Sequence, residues 1–218
     1  MIRKNIDLSL YLVTDRPLCR GRDLLDVMYQ AVQGGVGIVQ LREKHAATAE
    51  FVHLGRRARE LLDPLGIPLI INDRVDVALA VKAHGVHLGQ QDMTVEQARG
   101  LLGPHAIVGL SVENMDQVRA AETLDVDYLG VSPIFTTPTK PEADTPWGLE
   151  GLRLVRKVSR HRLVGIGAIG PHNAADVIRA GAHGIAVVSA VCAAPEPEKA
   201  ARKLSRIVEN ARPHRSPP

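Results

Sequence analysis

Hydrophobic positions along this chain come in short runs that stop abruptly at polar clusters. Eight such runs recur, at 8–13, 37–41, 69–71, 85–88, 107–110, 128–131, 163–166 and 184–188. Their brevity and β-branched content predict strands, and an amphipathic stretch with helical period follows each one. The helical stretches fall at about 22–34, 48–63, 74–83, 94–103, 114–123, 148–160, 171–181 and 196–211. Asn114 is placed to cap a helix start, and Pro171 suits a first helical turn, where a missing N–H costs nothing. Gly34-Gly35, Gly103-Pro104 and Gly181 stand where helices are expected to stop. Eight β/α units in unbroken succession predict a single (β/α)8 TIM barrel over residues 1–211, with a disordered tail at 212–218. In that fold the active site lies at the carboxyl ends of the strands. The polar clusters sit there: Thr14-Asp15-Arg16, Arg42-Glu43-Lys44, Asn72-Asp73-Arg74, Gly89 to Asp92, Ser111 to Asn114, Ser132 to Lys140, Gly167 to Gly170, and Ser189.

A length of 218 residues is short for a barrel, so few insertions are expected. Hydrophobic residues make up 45% of the chain and aromatics only 3%, which leaves the core to Val, Leu, Ile and Ala. A net charge of +3, with its basic residues dispersed, gives no nucleic-acid footprint but suits an anionic small substrate. Cys19 and Cys192 are the only cysteines, so no disulfide framework exists. Met1-Ile2-Arg3-Lys4 leads straight into the first strand without room for a signal peptide, and no apolar run is long enough to span a membrane. A soluble cytoplasmic protein is expected. The main irregular segment follows strand six and carries Pro133, Pro138, Pro141 and Pro146. Long loops in compact domains are usually functional or mobile.

Period two puts Gln40, Arg42 and Lys44 on one face of the second strand's end, facing the barrel mouth. A guanidinium fork beside an ammonium suits a diphosphate. Asp73 and Asp92 end consecutive strand units and face each other across adjacent loops. Each alone would serve as a helix cap, but the pair, with Asn72 and Gln90 nearby, suits a hard cation such as Mg2+. Thr136-Thr137-Pro138-Thr139-Lys140 forms a stiff segment with two hydroxyls and a cation for anion recognition. Small residues at Gly167-Ala168 and Val188-Ser189 expose backbone N–H groups where phosphate sites recur in this fold. The nine histidines show no ligand spacing; most are read as surface or rim residues and none as an obligatory base. No Ser-His-Asp set, activated cysteine or Schiff-base arrangement stands out. Two anion sites, one of them metal-assisted, point to departure of a diphosphate.

These motifs, in this order, resemble the thiamine phosphate synthase family. The similarity runs through Tyr11-Leu12-Val13-Thr14-Asp15, Gln40-Leu41-Arg42-Glu43-Lys44, Ile71-Asn72-Asp73-Arg74, Val86 to Asp92, Gly109-Leu110-Ser111, Thr137-Pro138-Thr139-Lys140 and Val188-Ser189. The resemblance implies that an aminopyrimidine diphosphate is joined to a thiazole phosphate, giving thiamine phosphate and pyrophosphate. It implies that Gln40, Leu41, Arg42, Glu43, Lys44 and Asn72 bind the pyrimidine diphosphate, that Asp73 and Asp92 bind Mg2+, and that Ser111 and Lys140 contact the pyrimidine substrate. Thr137, Pro138, Thr139, Gly167, Ala168, Val188 and Ser189 would hold the thiazole phosphate, with Arg42, Lys44 and Lys140 catalytic. The family usually has glycine where this chain has Ala168, and a homodimer is the family habit. A related tautomerase typically carries histidine at the position of Glu113. That enzyme, a Schiff-base barrel and a non-catalytic phosphate-binding barrel are the alternative readings.

Overall fold

The computed structural model describes residues 6–136 and 145–212. Eight parallel strands close into one barrel in sequence order. They are β1 (Leu10–Val13), β2 (Ile38–Leu41), β3 (Leu69–Asn72), β4 (Gly85–Leu88), β5 (Ile107–Val112), β6 (Tyr128–Val131), β7 (Leu163–Ile166) and β8 (Gly184–Val187). The helices between and after them are α1 (Leu24–Gln33), α2 (Thr48–Leu62), α3 (Val75–Val81), α4 (Val95–Leu102), α5 (Met115–Ala121), α6 (Gly148–Val158), α7 (Ala174–Arg179), α8 (Ser189–Cys192) and α9 (Pro197–Ala211). Strand β1 pairs with both β2 and β8, which completes the closure.

Alternation along each strand divides the apolar side chains into two cores. One set, including Leu12, Val39, Leu41, Ile71, Leu88 and Leu129, packs outward against the helices. The other, with Tyr11, Val13, Ile38, Ile70, Tyr128, Val164 and Ala186, fills the barrel interior. Aromatics are scarce, yet two of the three tyrosines are spent on that interior.

Local signals set the helix starts. Asn114 accepts from the backbone N–H of Gln117, and Thr94 with Gln97 forms a capping box at α4. Neither Asp73 nor Asp92 caps a helix: α3 is preceded by Arg74, which makes no side-chain cap, and α4 is capped by Thr94. Pro171 does not open α7, which begins at Ala174. It sits instead in a turn where Asn173 Oδ1 accepts from Gly170 N at 2.8 Å. The four residues of α8 are too few to show helical periodicity in the sequence. Arg22 fixes them from a distance, donating to the carbonyls of Cys192 and Ala194 at 2.6 Å each. The tail at 213–218 lies outside the described residues.

Candidate active site

A cavity of about 640 Å³ opens at the carboxyl ends of the strands. Its wall at β2 carries Gln40, Arg42 and Lys44, as period two requires. The intervening side chains turn away. Leu41 is fully buried among the residues that pack on the helices. Glu43 pairs with Arg16, with an oxygen 3.2 Å from the guanidinium. Any substrate contact by these two residues would therefore have to use the backbone. Thr14 anchors the strand end: its hydroxyl, fully buried, accepts from Arg42 N at 3.0 Å. Asp15 stands 3.7 Å from Arg42 and helps to hold the guanidinium at the mouth.

Strands β3 and β4 bring Asn72, Asp73 and Asp92 to the same cavity. Asp73 takes the left-handed backbone conformation, φ 61°. Its N–H donates to His87 O at 2.8 Å, which ties the end of β3 to β4. The two carboxyls lie within hydrogen-bonding reach of one another. Burial, reinforced by the neighbouring Asp92 charge, lifts the Asp73 carboxyl to about 6, against the pull of Lys44 and Arg42. Asp92 is held by Gly89 N, which donates to its Oδ2 at 2.7 Å. Two half-buried carboxylates this close are a donor set for a hard cation that completes its shell with phosphate oxygens and water. No third His, Cys, Asp or Glu joins them among the described residues.

The opposite wall is formed by the loops that follow β7 and β8. Gly167, Ala168, Val188 and Ser189 all line the cavity. Gly167 (φ 114°) and Ala168 (φ 47°) are consecutive left-handed residues. A side chain at Gly167 would strike Pro133 at 2.8 Å. Thr137, Pro138, Thr139 and Lys140 lie outside the described residues.

The cavity floor holds what sequence reasoning missed. His87 is not a rim residue but part of a line of polar groups drawn from five strands. Gln40 Nε2 donates to Tyr11 OH at 3.0 Å, and the Tyr11 and Tyr128 hydroxyls are 2.8 Å apart. Tyr128 OH lies 2.9 Å from His87 Nδ1, and His87 Nε2 lies 2.9 Å from Ser111 Oγ. Register explains the meeting of His87 and Tyr128. Gly109 of β5 pairs with His87 on one side and Tyr128 on the other. A Cβ at Gly109 would come within 2.1 Å of the Tyr128 ring and 2.6 Å of His87 Nδ1. The signal in the sequence was that glycine in mid-strand, a mark of close approach.

A barrel with a cationic strand end, a carboxylate pair and glycine- and alanine-bearing loops around one cavity defines a phosphate-handling TIM-barrel protein. The comparisons narrow this class. Residues 10–191 match the family described as thiamine monophosphate synthase. A thiamine-phosphate synthase of Albidiferax ferrireducens is 55% identical over 202 residues, covering 93% of this chain and 92% of the relative. One of Solidesulfovibrio magneticus is 54% identical, covering 97% of this chain and all of the relative. The solved thiamine phosphate pyrophosphorylase of Pyrococcus furiosus superposes with a TM-score of 0.87 at 38% identity, over 94% of this chain and 98% of that one. The chain belongs to the thiamine monophosphate synthase family. A 3-hexulose-6-phosphate synthase superposes at 0.68 with 14% identity, a likeness of fold alone.

Proposed function

We propose that the protein condenses 4-amino-2-methyl-5-(diphosphooxymethyl)pyrimidine with a thiazole phosphate, yielding thiamine phosphate and pyrophosphate in an Mg2+-dependent transfer. The observation that carries this reading is one cavity lined by Arg42, Lys44, Asp73 and Asp92 together with Gly167 to Ile169 and Val188 to Ser189. The reaction breaks the bond between the pyrimidine methylene and the diphosphate oxygen, and the electron pair leaves with pyrophosphate. The thiazole nitrogen lone pair then forms the new C–N bond, which needs no protein base.

Arg42 and Lys44 stabilise the charge that grows on the departing pyrophosphate, with Lys140 from the long loop in the same role by family resemblance. Asp73 and Asp92 would hold Mg2+, which supplies Lewis-acid neutralisation of the same oxygens. Gln40 and Ser111 meet the pyrimidine ring on the cavity floor. The backbone N–H groups of the strand-seven and strand-eight loops hold the thiazole phosphate, and Glu113, at the position of the tautomerase histidine, does not replace that residue's chemistry. A cytoplasmic location and a homodimer belong to the same reading. Among the described residues no helix is long and apolar enough to cross a membrane.

The test is pyrophosphate release by the purified protein with both phosphorylated substrates, in Mg2+ and in EDTA. Release that needs Mg2+ and both substrates, with thiamine phosphate identified by mass, is expected. Release without the thiazole phosphate, or none at all from folded protein, would refute the assignment.

A further inference from the structure

The hydrogen-bonded line on the cavity floor has a direction, set by counting protons. Burial pushes the Tyr11 and Tyr128 hydroxyls above the ordinary phenol range, so each keeps one proton to donate. Tyr11 accepts from Gln40 Nε2, and since a buried hydroxyl proton left unpaired is costly, it goes to Tyr128 OH, the other oxygen within reach. Tyr128 must then pass its proton toward His87 Nδ1, which serves as acceptor. A neutral His87 therefore carries its proton on Nε2 and donates to Ser111 Oγ. The proton of Ser111 is left to point into the cavity. At the other end Gln40 lines the same cavity, and with Nε2 engaged by Tyr11 its Oε1 is the group left to accept from a ligand.

We infer that Tyr11, Tyr128 and His87 are positioning residues that lock Gln40 as hydrogen-bond acceptor and Ser111 as donor, a pattern complementary to an aminopyrimidine. The inference rests on the proposed function for its ligand, since an exocyclic amine donates while a ring nitrogen accepts. A 4-oxo pyrimidine offers the reverse pattern, with a carbonyl that accepts and a ring N–H that donates. To receive it, the Gln40 amide and the His87 tautomer would both have to flip, or buried groups would be left unpaired. The two ends of the ring are thus read jointly, by side chains from five strands rather than by two independent contacts. The packing is built for this: Gly109 leaves the space in which Tyr128 and His87 meet, and their rings stack with centroids 5.5 Å apart.

The relay is tested on the full chain by long-range 1H–15N NMR of 15N-histidine-labelled protein, at a pH where histidine is neutral. The His87 signals are assigned by their loss in His87→Gln. The Nε2–H tautomer is expected for the wild type, and a tautomer mixture for Tyr128→Phe, which keeps the ring but removes the proton passed to Nδ1. An Nδ1–H tautomer in the wild type, or no change in Tyr128→Phe, overturns the relay. In pyrophosphate-release assays, preference for the 4-amino over the 4-oxo pyrimidine diphosphate should fall about tenfold or more in Tyr128→Phe and Tyr11→Phe. The loss should appear in KM more than in kcat; an unchanged preference also overturns the relay. A wild type that releases no pyrophosphate at all refutes the proposed function, whereas the tautomer decides the relay by itself.

Discussion

Ala168 is held at φ 47°, where an L-residue with a Cβ is strained by roughly 1–2 kcal/mol. It follows Gly167 in a loop whose carbonyls are already used: Ala168 O accepts from Asn173 Nδ2 at 3.1 Å, and Gly167 O accepts from Phe135 N at 3.3 Å. The loop therefore cannot relax to suit the alanine, and Ala168→Gly should stabilise the protein. The entropy of glycine in the unfolded chain offsets part of the gain, leaving about 0.5–1 kcal/mol, or a rise in Tm of a few degrees. Thermal melts of the two proteins measure this; an unchanged or lower Tm for the glycine variant would show the loop carries no strain. Single residues were legible in the sequence where geometry is local. Period two along one strand was enough to send Gln40, Arg42 and Lys44 to the cavity, whereas Leu41 and Glu43, expected at the substrate by resemblance, turn into the outer core and toward Arg16. His87 was not legible, because its partner Tyr128 lies 41 positions further along and the space between them is made by a third strand.

Elements were readable from their repeating pattern and their caps, and the barrel order followed from the β/α cadence. The misplacements have local causes. Pro171 suits a helix start by its fixed φ, but the Asn173–Gly170 side-chain bond captures that segment as a turn first. At the opposite end of the barrel, two histidines replace backbone partners before strands begin. Leu69 N donates to His84 Nδ1 at 3.1 Å, and Leu163 N donates to His183 Nδ1 at 3.0 Å. His183 is exposed at its surface, yet partial desolvation of its ring, followed by the charges of Arg156, Arg162 and Arg212, holds its pKa below the ordinary value. Arg212 also donates to His183 O at 2.8 Å, which keeps that charge close. The unfolded chain binds a proton here more readily than the folded one. The stability His183 contributes is therefore complete above about pH 6.5, the ordinary histidine value, and is lost as pH falls through the lower folded pKa. Denaturant unfolding of wild type and His183→Gln across pH 5 to 8 should show a shallower acid-side decline in the variant. Parallel curves for the two proteins would count against the assignment.

At the scale of the whole molecule, barrel closure places like charges together that were separate in sequence. Asp73 and Asp92 come from consecutive β/α units and meet at one cavity wall, where burial and mutual repulsion raise the Asp73 carboxyl. A fold keeps such an arrangement at the expense of its own stability, as functional sites commonly do. Asp73→Asn tests this cleanly. Asparagine tolerates the left-handed backbone that Asp73 adopts, so the substitution removes the charge without disturbing φ 61°. Without metal, the variant should melt higher than wild type, by roughly 2–4 °C for about 1 kcal/mol of relieved repulsion. Adding Mg2+ with pyrophosphate should raise the Tm of wild type through binding to the native state, and should raise the variant's far less. Turnover in the variant should fall by about 10²-fold or more, the scale of losing a charge-stabilising group. A variant that melts lower than wild type without metal would mean that the Asp73 carboxylate is stabilised by its surroundings rather than strained by repulsion from Asp92. Equal responses to Mg2+ and pyrophosphate would remove Asp73 from the proposed metal site, because binding linked to that carboxylate cannot survive its neutralisation unchanged.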